Sequence, residues 1–259
     1  MSSKEIEYHI PINRTDYLSI QHVERYRYAV SRLLPGLQVL DIACGAGYGT
    51  AMLLRHGCYV TGVDYEDDLW QQLKRFWGHE GFVKGNALEL PFRGDSFDGV
   101  VSFETIEHMV EGDRFLREIH RVLRPGGIFI CSTPNIHYTA HPPYHAKEYE
   151  PEEFYSIMRK RFVQVECYGQ YFKAVDRLRD AFLYATDSWL SKLRVKAMLK
   201  SLLRKKNTPI GSKVKDSSVD SWIAHSLEGQ GNINYRVNPL HGTKLLRIMV
   251  AVARKESVA

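Results

Sequence analysis

Residues Leu40 to Thr50 read LDIACGAGYGT, with three glycines at alternate positions (Gly45, Gly47, Gly49) behind an apolar run that carries an acid, Asp41. Glycines at this spacing let backbone approach a ligand closely, and three readings compete for the loop. A phosphate-gripping loop needs GxxxxGK[ST], whose lysine reaches the phosphates, and no lysine lies between Asp41 and Thr50. The dinucleotide fingerprint GxGxxG needs its third glycine where Thr50 stands. A plain turn joining a strand to a helix is the third reading. The flanking acids separate them. Asp41, four residues ahead of Gly45, would repel a pyrophosphate and attract an ammonium. Asp64, 23 residues further on, closes the next apolar run, where a carboxylate can accept both hydroxyls of a ribose.

A ligand with a cationic amino-acid end and an unphosphorylated ribose satisfies both acids, and S-adenosylmethionine is such a ligand. Transfer of its methyl group is an in-line displacement, so a protein must chiefly align a nucleophile and exclude water. A hydroxyl nucleophile also benefits from a base. His108, in FETIEHM, is the first candidate, because histidine exchanges protons near neutrality; capping or packing the next segment is its other reading. Glu104 and Glu107 share that segment. Glu104 can orient a histidine or hold acceptor hydroxyls, whereas Glu107 reads as surface-exposed. His145, in HPPYHAKEYEPEEF, is the second candidate base, with a loop histidine bonded to backbone as the alternative. The histidines and the four scattered cysteines (Cys44, Cys58, Cys131, Cys167) show neither HExxH nor paired Cys/His spacing, so no metal site is expected.

These residues need a frame. Short continuous apolar runs, LQVLDIA, CYVTGVD, GFVKGNA, FDGVVSFET and GGIFICSTP, alternate with amphipathic segments such as TAMLLRHG, EDDLWQQLKRFWG and VEGDRFLREIHRVLRP. That alternation predicts an α/β fold, a doubly wound parallel sheet whose ligands lie at the carboxyl ends of the strands. Asp41, Asp64, Asn86, Phe103 and Glu104 all fall at such ends. Ahead of the core, YLSIQHVERYRYAVSRLLPG has helical spacing and is stopped by Pro35-Gly36, which predicts a capping helix. Beyond Pro134 a loop rich in His, Tyr and Pro precedes a helix near Glu152 to Met158 and a strand near Phe162 to Tyr168. A final strand is expected over Lys244 to Lys255.

The 259 residues suit one elaborated domain, and 44% hydrophobic with 25% charged residues is ordinary for a soluble globular protein. Scattered cysteines and a polar start, MSSKEIEYHI, favour a reducing cytoplasmic setting. No apolar run reaches the roughly 18 residues that span a bilayer.

In order, VLDIACGAGYGT, VTGVDYE, VKGNALELPFRGDSFDGVVSFETIEHM and FLREIHRVLRPGGIFICSTPN resemble the successive motifs of class I S-adenosylmethionine-dependent methyltransferases, in the branch that includes the ubiquinone-type enzymes. The resemblance covers about residues 20 to 172 and returns at the final strand. It implies a Rossmann-like sheet of seven strands with the last antiparallel. It also implies that Asp41 and the backbone of Ala43, Cys44, Gly45, Ala46 and Gly47 meet the methionine part. Asp64 would bind the ribose, Tyr65 flank the adenine, and Asn86 with Ala87 and Leu88 face the adenine amino group. Asn86 stands where the branch usually has an acid; its carbonyl still accepts that bond. Phe103 would line the methyl-donor pocket, a core aromatic being the alternative, and Arg25, with His22 and Tyr26, would reach the cofactor from the leading helix. The stretch with Asn135, Tyr144, His145 and Glu148 resembles bacterial methyltransferases that accompany polysaccharide assembly.

The expected organisation is a cap helix over 1–36, a methyltransferase core over 37–172, a helical and basic insertion over 173–243, and a final strand and tail over 244–259. Lys192 to Lys215 holds nine basic residues and no acid. Trp189, Leu190, Leu193, Met198, Leu199, Leu202 and Leu203 give that segment an apolar side. It reads first as a helix packed on the domain or on a second subunit of a homo-oligomer, and second as a peripheral membrane contact through 188–215. Nucleic acid is not an expected partner, because aromatic interleaving is sparse. The whole reads as a methyltransferase of EC 2.1.1 type that uses S-adenosylmethionine, with a sugar or glycan hydroxyl as the acceptor. A quinone-like or secondary-metabolite small molecule is the alternative acceptor, and a non-catalytic binding module the alternative function.

Overall fold

A computed structural model describes residues 17–66, 73–74, 77–139, 141–171, 237–240 and 246–257. The basic stretch 188–215, all but 237–240 of the predicted insertion, and most of the predicted helix EDDLWQQLKRFWG lie outside the described residues.

The chain begins with α1 (Tyr17–Arg32), then β1 (Gln38–Ile42), α2 (Tyr48–Arg55), β2 (Tyr59–Asp64), β3 (Phe82–Lys84) and β4 (Phe97–Phe103). It continues through α3 (Gly112–Val122), β5 (Leu123–Pro134), α4 (Pro151–Arg159), β6 (Val163–Tyr171), β7 (Asn238–Pro239) and β8 (Leu246–Arg254). The strands form one sheet in the order β3-β2-β1-β4-β5-β8-β6-β7. Pairings among β1 to β5 are parallel, and β8 runs antiparallel between β5 and β6. The final strand therefore has the expected direction. Among the described residues the sheet has eight strands where seven were expected, because Asn238 and Pro239, assigned to the helical insertion, pair with Gly169 and Tyr168 at the sheet edge. Two residues are too few to carry a periodicity that sequence reading could detect.

The strand period of two divides β1 between both faces of the sheet. Leu40 and Ile42 join Phe115, Leu116 and Ile119 of α3 and Phe154 and Met158 of α4 in one apolar core. Val39 points the other way, into a second core with Tyr26 and Ala29 of α1, Leu33 just beyond it, and Met52 and Leu53 of α2. Asp41 shares the parity of Val39, so its carboxylate is delivered among α1 and α2. In β8, Met249 to Ala253 are all buried, which a strand covered on both faces and paired on both edges requires. Pro151 at the first turn and Glu152 and Glu153 behind it start α4.

β1, β2 and β3 proceed outward in one direction and β4 and β5 in the other. The crevice between the carboxyl ends of β1 and β4 is thus the topological switch point at which such sheets bind ligands.

Candidate active site

The glycine loop leaves β1 at that crevice. Ala43 (φ 55°), Gly45 (φ 49°) and Gly47 (φ 75°) adopt left-handed conformations, which fold the loop back over the strand end. Gly47 is hemmed in: a side chain there would start 2.8 Å from the Trp77 indole nitrogen and 3.0 Å from Phe82. Gly45 is open, with no described atom within 4 Å of where its side chain would begin. Cys44 and Ala46 are buried, and the Trp77 indole donates to the Ala46 carbonyl at 2.9 Å.

Asp41 is fully buried beneath the loop. Its Oδ1 accepts from the Tyr26 hydroxyl at 2.9 Å and its Oδ2 from the Thr50 hydroxyl at 2.7 Å. Burial pushes this carboxyl up to about 7, against the Thr50 and Tyr26 hydrogen bonds, which favour the ionised form. A carboxylate offers about four lone-pair positions, so two remain for a ligand. Gly49 explains why the loop keeps a third glycine, since a side chain there would begin 1.9 Å from the Tyr26 ring. The position that departs from the dinucleotide pattern, Thr50, is thus a donor to the acid, a role the loop spacing alone does not reveal.

Asp64 holds the loop from the β2 side. Its Oδ2 accepts from Gly45 N at 2.9 Å, and its Oδ1 from Tyr65 N at 2.8 Å and Glu66 N at 3.3 Å. Tyr65 is 70% exposed beside it. Asn86 closes a tight turn in which its Oδ1 accepts from Leu88 N at 2.9 Å, with Ala87 and Leu88 packed against the first core. Phe103 is buried edge-on to Tyr26, ring centroids 4.9 Å apart, and Arg25 lies over its face at 6.0 Å. Arg25 is buried; it donates to Gln170 at 2.7 Å, approaches Glu104 at 3.9 Å, and its Nε has no partner among the described residues. His22 contacts the Tyr48 hydroxyl at 2.6 Å, and burial, helped by the Arg25 charge, pushes its imidazole well below the usual range. An open glycine, two carboxylates at adjacent strand ends and an unfinished buried guanidinium fit the amino-acid and ribose parts of S-adenosylmethionine.

A second group of side chains sits past β4. Glu104, itself left-handed (φ 53°), accepts from the Ser132 hydroxyl at 2.8 Å. Glu107 corrects the sequence reading: instead of being surface-exposed, it is completely buried. Its place on the short 3-10 turn Ile106–His108 aims the carboxyl inward, and no apolar periodicity exists over three residues to signal that. Its Oε2 accepts from Thr133 at 3.0 Å, while Oε1 has no partner among the described residues. Burial pushes this carboxyl up to about 9, and the Glu104 charge adds to the effect.

The loop from 141 to 149 folds over this turn. Its Ala146 and Lys147 amides donate to the Glu107 carbonyl at 2.7 and 3.0 Å, which brings His145 to His108 with ring centroids 5.0 Å apart. His108 Nδ1 lies 3.1 Å from the Tyr144 carbonyl and its ring stacks on Tyr144; His145 Nδ1 lies 2.8 Å from Glu148. Glu148 also accepts from Thr139 at 2.6 Å and pairs with His141. Burial works to raise Glu148, but the bonds from Thr139, His145 and His141 outweigh it and hold the carboxyl below its usual range. Asn135 is structural: it is buried and its amide donates to the Leu246 carbonyl at 2.8 Å, tying the end of β5 to β8.

The sheet order and its reversed β8 are those of the α/β Rossmann-like methyltransferase fold. A solved structure of similar fold is a possible histamine N-methyltransferase from Thermotoga maritima (TM-score 0.55, 18% identity, 92% of each chain covered). Residues 40–131 match the family described as a methyltransferase domain. A probable S-adenosylmethionine-dependent methyltransferase of Mycolicibacterium smegmatis is 34% identical over 51% of this chain and 53% of its own length. A fatty-acid O-methyltransferase of the same organism is 34% identical over 54% of this chain and 51% of its own. The chain spans about half the length of these curated relatives. Among the described residues no helix is long and apolar enough to cross a membrane.

Proposed function

We propose that this chain is an S-adenosylmethionine-dependent methyltransferase acting on a hydroxyl. One observation carries the reading: the glycine loop between Asp41 and Asp64 stands next to a second cluster, Glu107, His108 and His145, at the carboxyl end of the neighbouring strand. Asp41 and the Ala43 to Gly47 backbone hold the amino-acid part of the cofactor, Arg25 its carboxylate, Asp64 its ribose, and Tyr65, Asn86, Ala87 and Leu88 border the adenine. When bound, S-adenosylmethionine supplies an electrophilic methyl group. Phe103 and Tyr26 exclude water from beneath it, and Glu104 positions the acceptor. The imidazoles of His108 and His145 withdraw the hydroxyl proton, and a positioned acid–base group typically contributes about 10²–10⁴ in rate.

A sugar or glycan intermediate is the acceptor that the resemblance of the loop from Asn135 to Glu148 supports. The relative named as a fatty-acid O-methyltransferase favours a second reading, a lipid-like acceptor. Calorimetric titration with S-adenosylmethionine, followed by turnover on glycan, lipid and quinone-like acceptors, tests the proposal. Absence of cofactor binding refutes it, and binding without turnover on any of the three supports a non-catalytic module instead. Unchanged turnover and cofactor affinity in both His108→Ala and His145→Ala remove the imidazoles from the reaction.

A further inference from the structure

Glu107, His108 and His145 come from two segments that no linear motif joins, yet a ligand-competent atom of each lies within 4.8 Å of the others'. Among the described residues this is the one grouping of three such side chains. Its internal hydrogen bonds favour one state of both rings. A backbone carbonyl can only accept, so the 3.1 Å contact to Tyr144 O makes His108 Nδ1 the donor and leaves the lone pair on Nε2. The ionised Glu148 does the same for His145 at 2.8 Å. Rings that bind metals are almost always oriented in this way, the second N–H donating to a carboxylate or a carbonyl. The third member is a fully buried carboxyl group, which gives up its proton when a cation enters; its Oε2 is satisfied by Thr133 and its Oε1 has no partner among the described residues. A buried acceptor left open is costly unless something binds it.

We propose that Glu107, His108 and His145 form a binding site for one divalent cation of the Zn²⁺ type. Two imidazoles and one carboxylate are the ligand set that zinc takes where it keeps a fourth, open position. Tetrahedral bonds of about 2.1 Å place ligand atoms roughly 3.4 Å apart, so the cluster closes by up to about 1.4 Å. The exposed His108 makes that movement, its ring pivoting about the 3.1 Å contact to the Tyr144 carbonyl. His145 and Glu107 are held in place, because the Ala146 and Lys147 amides clamp the loop to the Glu107 carbonyl. Resting on the methyltransferase reading, the occupant of the fourth position is the acceptor hydroxyl; with the cation bound, both imidazoles serve as its ligands instead of as bases, the cation lowers the hydroxyl's pKa and the proton leaves to water. The sequence expectation of no metal site rested on linear spacing, which does not register ligands brought together by a loop that returns 37 residues later.

The test uses the full chain, stripped with a chelator and titrated with Zn²⁺ alone in competition with a chromophoric chelator, with no cofactor or acceptor present. The expected result is one equivalent bound at micromolar affinity or better. Glu107→Gln and His108→Ala should each weaken binding at least a hundredfold, and Glu148→Gln, which removes the carboxylate behind His145, by about 10- to 100-fold. His108→Ala changes an exposed ring and guards against loss of the fold; thermal melting of each variant checks the rest. Wild-type protein that binds no equivalent, or His108→Ala and Glu107→Gln proteins that bind Zn²⁺ as the wild type does, would overturn the site. Titration of the same samples with S-adenosylmethionine separates the two proposals: cofactor binding without a zinc site sinks this inference alone, and zinc binding without cofactor binding sinks the methyltransferase reading alone.

Discussion

If Asp41 meets the cofactor ammonium, cofactor affinity must follow its ionisation. Burial raises this carboxyl to about 7. A group with that pKa is about one-hundredth ionised at pH 5 and about half ionised at pH 7. When only the ionised form is competent, the apparent Kd scales inversely with its fraction. S-adenosylmethionine should therefore bind about fiftyfold more tightly at pH 7 than at pH 5, roughly 2.3 kcal/mol. The α-ammonium of the ligand, with a pKa of about 7.7–8.0, stays protonated across this interval. Binding near pH 6 should also release about one proton, seen as a buffer-dependent heat in calorimetry performed in buffers of different ionisation enthalpy. Asp41→Asn should bind weakly, without the pH slope and without the released proton. A Kd that changes less than about threefold between pH 5 and pH 7, or a slope that survives in Asp41→Asn, refutes the assignment of Asp41 to the ammonium.

Three further outcomes follow from the same geometry. Thr50→Val or Tyr26→Phe removes a donor to the Asp41 carboxylate; at about 1.5–3 kcal/mol for a hydrogen bond to a charge, the midpoint of the binding profile should rise by about one to two pH units, as read from the same titrations. Gly49→Ala drives a methyl into the Tyr26 ring, whose nearest atom is 1.9 Å away. It should destabilise by about 1–3 kcal/mol or more, and calorimetric melting should show that adding Tyr26→Ala relieves part of that loss rather than doubling it. Glu107 binds a proton in the native state from about 4.5 to about 9, where the unfolded chain has lost it. Native stability therefore falls as pH rises through that window, by up to about 1.4 kcal/mol per pH unit. In chelator-treated protein, Glu107→Gln should remove that slope and gain on the wild type as pH rises, measured by urea unfolding at pH 6, 7.5 and 9.

Much of the frame was legible along the chain. β1, β2, β4 and β5 announce themselves as short apolar runs ended by turn residues, and Asp41 and Asp64 were readable as acids at strand ends because a parallel strand carries its pattern locally. The loop from Ala43 to Gly47 was legible for the same reason: left-handed backbone favours glycine, and Gly45 and Gly47 fill two of its three left-handed positions, with Ala43 the third. Legibility fails where position depends on a partner far away in sequence. Asn238 and Pro239 are a strand only because β6 offers them an edge.

The sequence by itself determined the alternating α/β plan, the glycine loop with an acid on each side, and the kind of ligand those charges admit. These are decisions of short range, made by backbone preference, by the strand period and by the sign of a charge. The tertiary structure alone decided that Asp41 lies beneath its loop on Tyr26 and Thr50, that Glu107 turns inward, and that His145 comes back to His108. The physical reason is burial: which carboxylate loses its water, and which neighbours replace that water, is fixed only when helices and loops distant in sequence close over the same strand ends.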